Sequence, residues 1–161
     1  MSVLIGVGFG WVLGLATVIL RDRRAARSAA RMIYFELSAN STAALAARST
    51  GHWLGPLPPR RHAFDTFGEA VVRVCDRETL RSLYAAYYAL DGIGALVSNS
   101  TRDELIEAGR RGVFESFIDA VETGERAIAR WARIPSATIE AGIAEVRAGF
   151  PIPTSEPISE P

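Results

Sequence analysis

The sequence predicts an all-α protein: an N-terminal transmembrane helix continuing into a cytoplasmic antiparallel helical bundle of about four helices, with a disordered C-terminal tail. Three observations predict it. Residues 3–20 are uncharged and almost wholly apolar, the chain from Ala25 to Trp131 repeats apolar residues at three-and-four spacing, and Pro151 to Pro161 alternates Pro, Ser and Glu without period. The divisions that follow are an anchor over 1–22, a bundle over 23–134, a short helix over 135–149 and a tail over 150–161.

As a helix, residues 3–20 would reach about 27 Å, close to the hydrocarbon thickness of a bilayer. No basic residue precedes the run and no small-x-small cleavage site follows it, so a retained anchor is expected rather than a cleaved signal peptide. Arg21, Arg23, Arg24, Arg27 and Arg31 come directly after it, and flanking positive charge stays on the cytoplasmic side. The expected placement is therefore the inner membrane, single-pass, with the N-terminus outside, only a residue or two exposed there, and the C-terminus in the cytoplasm. These arginines are also expected to hold the surface by pairing with anionic lipid headgroups. Gly6, Gly10 and Gly14 share one face of the span as overlapping G-x-x-x-G motifs. They suit self-association of two spans, while the general abundance of glycine in membrane helices leaves another packing role open.

Ala25 to Arg48 contains neither Gly nor Pro, so the anchor helix is expected to run on, burying Ala26, Ala30, Ile33, Leu37, Ala44 and Ala47. Asn40 falls within that stripe, where it can fix register between helices or bond a neighbouring backbone group. Residues 49–62 hold two Gly and three Pro and read as a loop. Phe64, Phe67, Val71 and Val74 give a short amphipathic helix, and Asp76 caps the next. That helix, residues 77–98, buries Leu80, Leu83, Tyr87, Leu90, Gly94 and Val97, with Tyr84, Tyr88 and Asp91 beside the seam as possible polar contacts. Thr101 and Glu104 stand at capping-box spacing. One helix over 102–132 follows, its stripe read through Ile106, Gly109, Val113, Phe117, Ala120, Gly124, Ala127 and Trp131. Glu122 and Arg126 read as an i to i+4 pair on its solvated face. Gly112 has no account. After Pro135, Ile139, Ile143 and Val146 mark a last short helix.

Several chemistries are argued against. Net charge is zero, and only residues 1–31, with five Arg against one Asp, are basic, so no nucleic-acid footprint is expected. All eighteen basic residues are Arg, a bias suited to a GC-rich genome. Cys75 is the sole cysteine and reads as a buried apolar residue beside Val71 and Val74. His52 and His62 lack ligands at metal spacing, and the carboxylate-rich distal helix lacks the histidines of a di-iron bundle. With no phosphate-binding glycine loop and no nucleophile constellation, neither enzyme activity nor any cofactor is expected. Two Asn-x-Ser/Thr sequons, at Asn40 and Asn99, would face the cytoplasm and read as helix and turn chemistry.

Ala30-Arg31-Met32-Ile33-Tyr34-Phe35-Glu36-Leu37-Ser38-Ala39-Asn40, following a short N-terminal span, resembles uncharacterised single-pass membrane proteins of high-GC bacteria and their phages. The resemblance covers about the first third of the chain. It implies an anchored helical domain and carries over no functional residue. Long apolar seams without a catalytic constellation lead to the expectation of a membrane-anchored scaffold or protein-interaction module, homo-oligomeric or bound to a protein partner, in contact with membrane lipids. A membrane-perturbing effector acting through the glycine-faced span, as in phage lysis or defence, is the alternative. Ligand sensing in a cavity near Tyr84 and Tyr88 is a third.

Overall fold

An Ala-rich stretch free of helix breakers does keep the first helix whole. In the computed structural model, which describes residues 2–152 and their side chains from residue 16 onward, α1 runs unbroken over Ser2–Thr50, about 70 Å. Then come α2 (His62–Val72), α3 (Arg77–Asn99), α4 (Arg102–Arg110), α5 (Glu115–Ala132) and α6 (Ser136–Gly149), with no strand among the described residues. The predicted span over 3–20 lies for the most part outside the described side chains, as do Gly6, Gly10 and Gly14 and the tail beyond residue 152. Among the described residues no helix is long and apolar enough to cross a membrane.

Along α1 the environment changes abruptly. Val18, Ile19 and Leu20 are 47%, 44% and 57% exposed, whereas from Ala26 onward every third or fourth residue is buried. Ile33, Leu37 and Leu45 then enter one core with Leu83 and Leu90 of α3 and Ile118 and Ile128 of α5, each contributing roughly 1.5–3 kcal/mol. Pair contacts give the directions. Arg31 meets Ala132 while Arg48 meets Glu115, so α5 runs antiparallel to α1. Thr79 meets Trp131 while Gly92 faces Phe117, so α3 is antiparallel to α5. α2 and α4 fold back along α1, and α6 runs back along α5, Glu140 meeting Arg126 and Arg147 meeting Glu122.

Two caps form at the spacings read from sequence. The Thr79 N–H donates to Asp76 Oδ1 at 2.7 Å, and Thr101 and Glu104 complete a reciprocal capping box. The single helix expected over 102–132 is a correction. It is two helices, because the chain turns at Gly112 with φ +72, so the described residues hold six helices where four in the bundle and one short helix after Pro135 were expected. A left-handed φ suits glycine, which supplies the account that Gly112 lacked. The stripe of α5 also lies one residue on from the predicted one: Phe114, Ile118, Val121, Ile128 and Ala132 are buried, and Val113 is 41% exposed.

Candidate functional site

The loop after α1 is secured by polar side chains of α1 itself. Glu36 is buried, and its carboxylate accepts from the N–H groups of Ala63 (2.7 Å) and Phe64 (3.4 Å) and from the Tyr87 hydroxyl (2.7 Å). The first two are orphan donors of the α2 N-terminus, where Arg61 offers no side-chain cap, so Glu36 caps α2 from another helix. Burial and the bond to Glu36 push the Tyr87 hydroxyl well above the usual range, fixing it as a donor. One turn on, Asn40 Nδ2 donates to the Arg60 carbonyl at 2.6 Å and Oδ1 accepts the Arg60 N–H at 3.1 Å. This is backbone pinning within one chain. Asn40→Ala should lower stability by about 1–2 kcal/mol. Hydrogen exchange should quicken over residues 51–61, and an unchanged exchange rate there would refute the assignment.

Tyr84, Tyr88 and Asp91 are not an enclosed polar site. The two tyrosines are 56% and 80% exposed, Tyr84 stands edge-on to Phe64 at 5.6 Å, and Asp91 pairs with Arg61 at 3.4 Å across a shallow groove. The buried tyrosine of this helix is Tyr87.

Beneath α6 lies a second polar cluster that the sequence did not suggest. Glu122 and Glu125 are both almost fully buried, so the solvated face assigned to Glu122 is a correction. Arg147 of α6 binds Glu122 through Nε (2.7 Å) and also reaches Asp119 (2.7 Å), while Arg126 pairs with Glu140 (2.8 Å). Ile139 is the one buried side chain of α6, Val146 packs partly against the core, and these ion pairs tie the helix to α5. Glu125 borders a cavity of about 70 Å³ shared with Tyr34, Ser41 and Thr42, and its Oε1 has no hydrogen-bond partner among the described residues. Burial, then the charge of Glu122, push its carboxyl up to about 8, against a hydrogen bond from Ser41 and the charge of Arg126. Among the described residues no group of three or more His, Cys, Asp or Glu could hold a metal ion.

The arginines after the apolar run divide by role. Arg21 lies beside Asp22 at 4.0 Å, Arg23 and Arg24 are exposed, and Arg31 donates through Nε to the Ala132 carbonyl at 3.2 Å, bonding the end of α5. Arg23 and Arg27 face a cleft of about 390 Å³ whose far wall is Arg130, Trp131 and Arg133. Sequence reading missed this second pair, which lies about a hundred residues away. Nearby, burial and then Asp76 push the half-buried Cys75 thiol up to about 12, keeping it protonated and unreactive.

The geometry defines an all-α bundle built around one through-going helix, with a basic cleft at the end from which that helix emerges. The chain matches no known protein family, no curated protein and no solved structure.

Proposed function

We propose that the protein is a membrane-anchored helical scaffold, holding a second copy or a protein partner at the inner face of the cytoplasmic membrane. The continuity of α1 carries this reading: the helix passes, without a linker, from exposed Val18, Ile19 and Leu20 through five arginines into the core of the bundle. Uncovered Val18, Ile19 and Leu20 are what a lipid-immersed helix would present. A face for a partner exists on the same helix, where Met32 and Phe35 are 50% and 61% exposed within the bundle segment.

The test is fractionation of cells expressing the full chain. The protein should pellet with membranes and resist alkaline carbonate, and a fluorescent protein fused to the C-terminus should report the cytoplasmic side. Recovery in the carbonate wash would overturn the anchored reading.

A further inference from the structure

We propose that the cleft between α1 and the end of α5 is a binding site for a phosphoryl group, supplied by an anionic phospholipid headgroup or by a soluble phosphate ester. Arg23 and Arg27 are one helical turn apart on α1, and Arg130 and Arg133 approach from α5, around a floor of Ala26 and Val74. About 390 Å³ lies within the range of ligand pockets. Among the described residues no carboxylate lines it. Of the acids nearby, Asp22 lies beside Arg21, and Asp76, which accepts from the Thr79 backbone and hydroxyl, offsets the charge of Arg130 alone. Among the described residues Arg23, Arg27 and Arg133 make no ion pair and only Arg130 feels a nearby carboxylate, that of Asp76, so the four guanidiniums carry an excess of positive charge and repel one another. Guanidinium forks match phosphate oxygens geometrically, so a phosphoryl group is the ligand that turns this repulsion into binding.

Two features show a wall built in advance. Arg130 Nη2 and Trp131 Nε1 each lie 3.3 Å from the hydroxyl of fully buried Thr79, which ties both side chains to α3. Arg133 has φ 58, the left-handed region, and is the one non-glycine residue there among the described residues. Glycine is the usual occupant of such a helix end. Arg31 already bonds the Ala132 carbonyl, so capping alone does not require an arginine at 133. Keeping a β-carbon in this strained position places a guanidinium in the cleft, the pattern of strain retained at a ligand site.

The lipid source rests on the anchored reading above. Arg23 and Arg27 fall about 5 and 10 Å along the axis beyond Leu20, spanning the headgroup layer of roughly 5–8 Å per leaflet. A soluble ester needs no such placement.

The experiment uses the full chain in a neutral detergent, titrated with dihexanoyl phosphatidylglycerol, with dihexanoyl phosphatidylcholine, and with inorganic pyrophosphate. Binding is read from Trp131 fluorescence, taken as the difference from Trp131→Phe. Saturable binding of phosphatidylglycerol alone assigns the site to lipid, and binding of pyrophosphate assigns it to a soluble ester. In either case Arg130→Gln/Arg133→Gln should weaken binding about 100-fold, at roughly tenfold per charge-assisted contact. Arg110→Gln/Arg111→Gln, remote on α4, should leave it unchanged. Arg133→Gly is the decisive variant: it relieves the backbone, so the melting temperature should hold or rise while affinity falls. No saturable binding of either probe, or equal weakening by the two double variants, overturns the site. Pyrophosphate binding by a chain that carbonate strips from membranes would refute the anchor and leave the site standing.

Discussion

Gly124→Val should destabilise the bundle by about 3 kcal/mol or more, the upper end for an overpacked core. Gly124 is buried in α5 where α1 and α3 converge. A β-carbon there would lie 2.6 Å from the Ala86 β-carbon and 3.4 Å from Leu37 Cδ1 and the Ser82 carbonyl, against an ordinary carbon separation of roughly 3.5–4.0 Å. Ala86 cannot swing aside, so helices must move apart and release contacts along both seams. Gly124→Ala separates this from helix propensity. On propensity alone alanine would stabilise by roughly 1 kcal/mol, yet the close approach predicts a loss. Thermal unfolding followed by circular dichroism in detergent reads both variants, and a raised melting temperature for Gly124→Ala would show that the seam has room.

Glu125→Gln should stabilise the protein at pH 8.5 by on the order of 3 kcal/mol and change little at pH 4. The ordinary carboxyl value is 4.5, and in the folded chain burial and Glu122 raise it to about 8. Below 4.5 the group is protonated in both states and contributes no pH dependence. Between 4.5 and 8 the unfolded chain releases the proton while the folded chain retains it, so the unfolded state gains and stability falls as pH rises. Above 8 the loss is complete. Glutamine copies the shape of the neutral acid and cannot ionise. Unfolding midpoints of the two proteins should coincide near pH 4 and diverge steadily above it, and parallel profiles would contradict the assignment.

Where the sequence was readable, small residues and unambiguous caps made it so. Ala26, Ala30, Ile33, Leu37, Ala44 and Ala47 are all buried as their spacing implied, because α1 has no breaker to shift its phase. Asp76 and Thr101 mark their helices because local side-chain bonds decide those starts. On α5 the reading followed the large rings of Phe117 and Trp131. Rings reach the core from the flank, and both residues are only half-buried. The true stripe runs through Ile118, Val121, Ile128 and Ala132 at three-and-four spacing, and Glu125 falls on it. Following the branched residues would have revealed the buried carboxyl. The basic cleft was legible only by half: Arg23 and Arg27 share a face by helical arithmetic, but nothing local brings Arg130 and Arg133 to them. That juxtaposition depends on the antiparallel pairing of α1 with α5, a tertiary fact.

The unbroken course of α1 also fixes an azimuth. A flexible connector would let a bundle spin and tilt freely against the N-terminal apolar run, whereas a helix transmits torsion, so the side of the bundle bearing Met32 and Phe35 keeps a set phase to that run. Each residue added between them would turn one part against the other by about 100° and lengthen the shaft by about 1.5 Å, and seven would restore the original heading to within about 20°. The protein therefore behaves as a keyed shaft: whatever orients the upper end also aims the lower one.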